Sequence, residues 1–102
     1  MSKLVYTSHT YKSVDKSASI ALYVLRKGFL PIDPFLTLPP PVLDILELGE
    51  EERLNLDFEI LEKCDELWVF GNITKGVRAE IEWWRTHRVT APIFLGWEVV
   101  NE

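Results

Sequence analysis

Two acidic residues fall on predicted helix faces that are otherwise apolar, which is unusual for a carboxylate. The neighbours of a residue on a helix are the residues three and four positions away. For Glu80 these neighbours are Gly76, Val77, Trp83 and Trp84. For Asp57 they are Arg53, Leu54, Ile60 and Leu61, and Cys64 continues the same stripe. Burying an ionised carboxylate without a partner costs several kcal/mol, so both positions require an explanation.

The placement of these two carboxylates has two explanations. Each carboxylate could be half exposed at a helix end, or Asp57 could pair with Arg53. Alternatively, both could face one site, because a carboxylate in an apolar surround can serve as a nucleophile or as an acid. Paired carboxylates about 5 Å apart perform retaining substitution at the anomeric carbon of a sugar. Two such residues near one predicted edge of a sheet favour the second explanation.

The elements that must position these residues alternate between strand-like and helical patterns. Strand-like segments lie near residues 3–7, 29–33, 66–71 and 92–97. Helical segments run from Ser13, a predicted N-cap, to the residues before Gly28, from Glu50 to Cys64, and from Lys75 to about His87. Residues 33–49 are expected to form a long loop interrupted by prolines, with one short helix near residues 42–48. This order predicts an α/β fold with a parallel sheet, helices on both faces and the first strand in the centre.

Three polar loops follow the first three predicted strands: SHTYKS (8–13), DPFLTLPPP (33–41) and GNITKG (71–76). In a parallel sheet the carboxyl ends of the strands share one edge, and ligands bind there. GNITKG also precedes the helix that contains Glu80, where the backbone N–H groups and the helix dipole favour negative charge. We therefore expect the binding site at this edge.

Four short motifs follow one another along nearly the whole chain. They are Val5-Tyr6 in the first strand, GFLPIDP after the first helix, Asp57 ahead of Cys64-Asp65, and Gly76-x-x-x-Glu80. This layout resembles the small members of the nucleoside 2-deoxyribosyltransferase-like superfamily. The resemblance implies a single domain over residues 1–102 with a flavodoxin-like three-layer α/β/α fold and a four- to five-stranded parallel sheet. It also implies cleavage of the N-glycosidic bond of a 2′-deoxynucleoside or its 5′-monophosphate.

The resemblance assigns catalytic roles to three residues. Glu80 matches the glutamate nucleophile that becomes covalently glycosylated. Asp57 matches the aspartate that orients the sugar and protonates the leaving base. Tyr6 matches the tyrosine whose hydroxyl helps to orient the glutamate.

Substrate-binding roles fall on the three polar loops. In the monophosphate-hydrolysing branch of the family, a hydroxyl residue six positions before the nucleophile contacts phosphate, and here this residue is Thr74. Thr10 and Lys12 match further phosphate contacts of that branch. The remaining candidates for substrate binding in these loops are Ser8, Asp33, Asn72 and Gly76. The alternatives to an enzyme are a non-catalytic nucleotide-binding domain of the same fold and a structural partner protein that assembles through its tryptophans.

Composition and charge limit the functional class. A chain of 102 residues is enough for one domain with one core, and a net charge of −5 offers no basic field for a nucleic acid polymer or an anionic membrane. The single cysteine excludes an internal disulfide and the common zinc spacings, and we expect no metal or other cofactor. Since there is neither an apolar signal-peptide region nor a run of roughly 20 apolar residues, a cytoplasmic location is expected.

Several other residues have ordinary interpretations. His9 and His87 are far apart and lack a metal-ligand pattern, so both are interpreted as surface or loop histidines. Cys64 is interpreted as a core residue. Trp83 and Trp84 are expected to pack against the sheet or a partner subunit rather than on a base. Because so small a chain hides little apolar surface, we expect a homodimer or a larger homo-oligomer that uses the second and third helices.

Overall fold

The computed structural model describes residues 2–89 and 91–96. The strands are β1 (Leu4–Ser8), β2 (Leu30–Ile32), β3 (Glu66–Val69) and β4 (Ile93–Leu95). A 3-10 helix (Tyr11–Lys16) leads into α1 (Ser17–Arg26), which is followed in chain order by α2 (Pro34–Thr37), α3 (Pro40–Ile45), α4 (Glu50–Lys63) and α5 (Lys75–His87). The predicted fourth strand extended to Trp97, which lies outside the described residues. The bounds of α4 and α5 agree with the prediction to within one residue.

The four strands form one sheet in the order β2-β1-β3-β4. Every pair of neighbouring strands is parallel, and β1 lies between β2 and β3. The predicted α/β fold with a parallel sheet and an interior first strand is therefore confirmed. Because the strands are parallel, the loops that follow β1, β2 and β3 emerge at the same edge of the sheet.

Apolar residues on alternating strand positions build two buried clusters. Successive side chains of a strand point to opposite faces of a sheet. One cluster joins Tyr6, Leu67 and Val69 to Leu61, Cys64, Val77, Ile81 and Trp84 from α4, its C-cap and α5. The other cluster joins Val5, Trp68 and Phe70 to Ile20 and Val24 of α1. The interpretation of Cys64 as a core residue is confirmed, and α4 and α5 are fixed on the face of the sheet that Tyr6 occupies.

The beginning of the first helix differs from the prediction, whereas its end agrees. Ser13 is not an N-cap: it lies inside the 3-10 helix, and α1 begins only at Ser17. The polar residues after β1 form this tighter turn first, as often happens at the N-terminal end of an α-helix. At the other end, Gly28 adopts a φ of 88° and donates its N–H to the Leu25 carbonyl. A left-handed residue at the end of a helix costs least when it is glycine, because glycine has no Cβ.

The segment predicted as a long loop with one short helix near residues 42–48 contains two short helices: α3, which overlaps the predicted one, and α2, which was not predicted. Asp33 caps α2 by accepting a hydrogen bond from the N–H of Phe35 at 2.9 Å, and Pro34 occupies the first turn. Pro39 is the N-cap of α3, with Pro40 at its first position. Proline costs little there because the first N–H groups of a helix have no intrahelical acceptor. The prolines therefore begin helices in this segment instead of preventing them.

Within the described part of the chain, no helix combines the length and the apolar character that crossing a membrane would require.

Candidate active site

Glu80 is buried beneath the edge of the sheet where the three loops meet. It lies in α5 and is only 5% exposed. Tyr6 and Ser8 are two positions apart on β1, so their side chains share the face that α5 covers. The Tyr6 hydroxyl donates a hydrogen bond to Oε2 of Glu80, and the Ser8 hydroxyl donates one to Oε1 at 2.7 Å. Both oxygens of this carboxyl group are thus held by donors from the central part of the sheet.

Burial dominates the electrostatics of Glu80. It raises the pKa of this carboxyl group to about 7, and the negative charges of Asp57 and Asp33 act in the same direction. The hydrogen bonds from Tyr6 and Ser8 oppose that shift because they stabilise the ionised form. Burial, followed by the charge of Glu80, raises the pKa of Tyr6 well above its ordinary value. The phenol of Tyr6 therefore keeps its proton and remains a donor.

Asp57 faces the same space from α4. It is half-buried, and burial raises the pKa of its carboxyl group to about 6. The hypothesis that Asp57 pairs with Arg53 is wrong. Arg53 instead donates from Nη2 to Oδ1 of Asp44 at 2.6 Å and from Nε to the Leu48 carbonyl at 2.9 Å. No residue that the structure describes donates a hydrogen bond to the Asp57 carboxyl group.

A cavity of about 220 Å³ lies between these elements. Five of the predicted site residues line it, namely Glu80, Asp57, Thr10, Thr74 and Gly76. They come from the loop after β1, from α4 and from the N-terminal part of α5, as expected for loops at one edge of a parallel sheet. The cavity thus brings together the two carboxylates on which the sequence analysis depends.

The other predicted residues lie outside this lining. Tyr6 and Ser8 stand behind Glu80, to which both donate. Asp33 is 7% exposed and pairs with a histidine that lines the cavity. Lys12 and Asn72 are exposed, in the 3-10 helix and in the loop after β3 respectively. For these last two residues, a binding role would have to involve a part of the ligand that extends beyond the cavity.

That histidine is His9. The sequence analysis interpreted it as an ordinary surface or loop residue, but it is buried at the candidate site. It follows β1 directly, is 3% exposed and lines the cavity. Its Nε2 lies 2.8 Å from Oδ2 of Asp33, its Nδ1 lies 3.1 Å from the Thr10 carbonyl, and its ring meets Phe35 edge-on at 5.0 Å between centroids. The available signal was its position, since the residue after a parallel strand lies at the ligand-binding edge.

The N-terminal turn of α5 opens towards the cavity. Thr74 is the N-cap residue, and its side chain makes no capping hydrogen bond. A side chain at Gly76 would meet nothing within 4 Å, so this part of the turn faces open space. The first N–H groups of a helix lack intrahelical acceptors and attract negative charge. This turn could therefore bind an anionic group of a ligand.

A second cavity of about 390 Å³ adjoins the first under α2 and α3. The two cavities share Pro34, Phe35, Arg53 and Asp57 in their linings. The lining that belongs only to the second cavity is mainly apolar and comprises Leu38, Pro40, Leu43 and Asp44. Asp57 thus stands between the cavity where Glu80 lies and the larger cavity under α2 and α3.

The tryptophans of α5 pack within the chain. Trp84 is fully buried and donates its indole N–H to the Ala91 carbonyl at 3.2 Å. Trp83 is half-buried and stacks between Phe58 and His87, with centroid distances of 5.8 and 4.3 Å. Neither residue lines the two cavities. Over the described ranges, no three acidic, histidine or cysteine side chains come close enough together to hold a metal ion.

Comparison with protein families matches residues 3–94 to a domain of unknown function (DUF7768). Neither the curated proteins nor the solved structures include one that matches this chain.

Proposed function

We propose that this chain, which belongs to the DUF7768 family, is an N-glycosidase or deoxyribosyltransferase that acts on a 2′-deoxynucleoside or its 5′-monophosphate. The main support is the arrangement around Glu80: a buried carboxylate, held by two hydroxyl donors, faces a cavity that a second carboxyl group also lines. Retaining enzymes that act at an anomeric carbon use two carboxyl groups in this manner.

Glu80 is the nucleophile in this proposal. One of its oxygens attacks C1′ of the deoxyribose, the bond between C1′ and the base nitrogen breaks, and a glycosyl ester forms. Tyr6 and Ser8 donate to the carboxylate and restrict its rotation, so that it meets the sugar in one orientation. The same two donors favour its ionised form, which is the form that attacks.

Asp57 is the acid that protonates the departing base. After burial, the negative charge of Asp57 is one of the causes that raise the pKa of Glu80, so the two carboxyl groups titrate as a coupled pair. The pKa of Glu80, about 7, is above that of Asp57, about 6, which is the reverse of the order that this mechanism needs. A bound ligand corrects the order, because it covers the half-buried Asp57 and raises its pKa, whereas Glu80 is already buried. In the complex the proton then resides on Asp57.

The second half of the reaction releases the sugar. A water molecule or a second base attacks C1′ of the glycosyl ester, and Glu80 leaves as a carboxylate. Asp57, now ionised, accepts the proton of the attacking group, as microscopic reversibility requires. Both steps balance without a cofactor: Asp57 gives its proton to the departing base in the first step and takes one from the attacking group in the second, while Glu80 forms and then releases the ester bond.

The surroundings of the two carboxylates favour a phosphorylated substrate. The open N-terminal turn of α5, with Thr74 and Gly76, offers backbone N–H groups and a positive dipole to an anion. The two adjoining cavities have the size of a small-molecule site. A 5′-monophosphate near Thr74 would leave the sugar beside Glu80 and the base beyond Asp57.

The proposal is tested by incubating the protein with a panel of deoxynucleosides and their 5′-monophosphates and measuring the free base by chromatography. Glu80→Gln should abolish release, because the amide keeps the shape but loses the nucleophilic oxygen. Asp57→Asn should reduce the rate by about 100-fold or more, because it removes the proton donor. Glu82→Gln is the matched control, since this exposed glutamate lies on the same helix. It should release base like the unmodified protein.

Mass spectrometry of the quenched reaction tests the covalent step. The unmodified protein should gain the mass of one deoxyribosyl group, with or without phosphate, and Glu80→Gln should not. Nucleotide binding without any base release would favour the non-catalytic nucleotide-binding domain. The absence of both binding and release would overturn the proposal.

A further inference from the structure

His9 and Asp33 form a buried pair beside the candidate active site. Both residues are more than nine-tenths buried, and the His9 side chain is completely inaccessible to solvent. His9 follows β1 and Asp33 follows β2, so the pair joins two of the three loops that surround the cavity. Their neighbours Thr10 and Pro34 are part of the cavity lining. A displacement of this pair would therefore alter the shape of the site.

The hydrogen bonds of the pair define its charges. Both ring nitrogens of His9 face acceptors, since Nδ1 is 3.1 Å from the Thr10 carbonyl and Nε2 is 2.8 Å from Oδ2 of Asp33. Only a ring with two N–H groups can donate to both acceptors, and that ring is the positively charged imidazolium. The other oxygen of Asp33 accepts from the N–H of Phe35 at 2.9 Å. The arrangement is thus an imidazolium beside a carboxylate.

The ionisation of Asp33 agrees with this assignment. Burial alone would raise the pKa of Asp33, but the hydrogen bond and the charge of His9 hold it below its ordinary value. The Ser17 hydroxyl nearby lowers the same pKa. Asp33 is therefore a carboxylate whose negative charge depends on His9 for its balance.

That charge reaches Glu80. Asp33 and Asp57 are the two carboxylates whose negative charges disfavour ionisation of Glu80. The titratable groups that face Glu80 from the elements packed around it are Tyr6 on β1, Asp57 on α4 and Asp33 after β2. Of these three, only Asp33 has a positively charged partner among the residues that the structure describes. His9 lines the same cavity as Glu80 and places its ring against Asp33, whereas no described residue forms an ion pair with Asp57.

We propose that His9 and Asp33 are a positioning pair, in which the imidazolium of His9 balances Asp33 so that Glu80 can carry its own negative charge. The inference rests on the proposed role of Glu80 as a nucleophile, because only an ionised Glu80 attacks. Both residues of the pair act through Glu80 and through the position of the loops after β1 and β2.

The experiment measures the ionisation of Glu80 directly. Carbon-13 NMR of protein labelled at the glutamate side-chain carboxyl groups follows Glu80 through a pH titration, and Glu80→Gln identifies its resonance. His9→Gln keeps an amide donor for Asp33 but removes the positive charge, so it should raise the apparent pKa of Glu80 by about one unit. Asp33→Asn removes the negative charge and should lower this pKa. The double variant should return it close to its original value.

His87→Gln is the matched control, because His87 is an exposed histidine on the same helix as Glu80. It should leave the titration of Glu80 unchanged. The proposal is overturned if His9→Gln and Asp33→Asn shift the titration in the same direction, or if neither shifts it. If His9→Gln does not fold, the double variant is compared with Asp33→Asn: the pKa of Glu80 must be higher in the double variant, and equal values overturn the proposal.

The pH dependence of the rate of base release is the second measurement. Its rising limb should shift along the pH axis in the same direction as the pKa of Glu80 measured by NMR. The two failures are distinguishable, since the NMR titration requires no turnover. Opposite shifts without any base release would refute the proposed reaction and leave the charge balance of the pair established. If both variants release base with an unchanged pH profile, the positioning role of His9 and Asp33 is refuted, and the proposed reaction is not affected.

Discussion

The candidate site has a floor and a wall that are built differently. The floor is formed by β1 and α5, with Tyr6, Ser8 and Glu80, all of them buried. Both oxygens of Glu80 accept hydrogen bonds from the floor itself. The wall is formed by α3 and α4. Its carboxyl group, Asp57, is half-buried, and its ion pair joins Asp44 and Arg53, whose side chains are 69% and 33% exposed.

This difference shows how one fold can give two carboxyl groups two functions. A buried carboxylate is costly unless donors satisfy it, and the floor supplies them from a strand in the interior of the sheet. The result is a group with one orientation. The wall leaves its acid partly hydrated, and therefore able to exchange protons and to respond when a ligand covers it. A nucleophile requires the first property, and a general acid requires the second.

The largest expected effect is that of pH on the free energy of unfolding, and Glu80→Gln is the variant that tests it. The pKa of Glu80 is about 7 in the folded protein against an ordinary value of 4.5. Between these values the folded state binds a proton that the unfolded state has released, so stability falls as pH rises. The contribution is complete below pH 4.5 and is lost as pH passes through 7. We expect a loss on the order of 3 kcal/mol from Glu80 between pH 5 and 8.

Urea unfolding at several pH values measures this contribution. Glu80→Gln should remove most of the decline, and the part that remains should come from Asp57, whose raised pKa has the same sign. Glu82→Gln, the exposed control, should decline in parallel with the unmodified protein. A parallel decline for Glu80→Gln would show that Glu80 is not the buried acid of the floor.

The second test concerns the donors of the floor. Tyr6→Phe removes the hydroxyl that donates to Oε2 of Glu80 and leaves Ser8 as the remaining donor. Hydrogen bonds to charged groups contribute about 1.5–3 kcal/mol, so the free energy of unfolding at pH 8 should fall by that amount. Below pH 5, where Glu80 is protonated, the loss should be smaller, about 1 kcal/mol.

Tyr23→Phe provides the matched control for Tyr6→Phe. Tyr23 is half-buried among Trp68, Phe70 and Phe94, and no hydrogen bond of its hydroxyl is found within the described ranges. Its loss of stability should stay within about 0.5 kcal/mol at both pH values. Equal losses for the two variants would mean that the Tyr6 hydroxyl contributes no special support to Glu80.

The floor could largely be predicted from the sequence, whereas parts of the wall could not. The floor follows from local patterns: an apolar strand, a helix that begins after a polar loop, and a glutamate on its apolar face. These patterns place Glu80 near the ligand-binding edge of the sheet, whereas its contact with Tyr6 was expected from the family resemblance. Gly28 likewise marks a helix end because only glycine adopts its φ easily.

The bounds of α4 were predicted correctly, but the contacts of the wall join segments that are distant in the sequence, and some predictions about these contacts fail. Prolines 39–41 suggested a loop before a short helix near residues 42–48, but α3 begins at Pro40, and Asp44 in this helix meets Arg53 nine residues further on. Arg53 stands four residues before Asp57, so helical spacing alone suggested the wrong partner. His9 was missed for a related reason. Its partner Asp33 lies 24 residues away, and only the parallel pairing of β1 and β2 brings the two together.

The smallest expected effect concerns the ion pair of the wall. Asp44→Asn removes the charge that Arg53 meets at 2.6 Å but leaves the hydrogen bond from Nε of Arg53 to the Leu48 carbonyl. Because the pair is exposed and its side chains must be ordered, it should contribute only about 0.2–1 kcal/mol. Urea unfolding at low salt should show this small loss. In about 1 M NaCl the difference should vanish, since exposed charges are screened within roughly 3 Å.

A loss above about 2 kcal/mol that persists at high salt would mean that the wall is built as tightly as the floor. Asp57 would then lack the partial hydration on which its role as the acid depends.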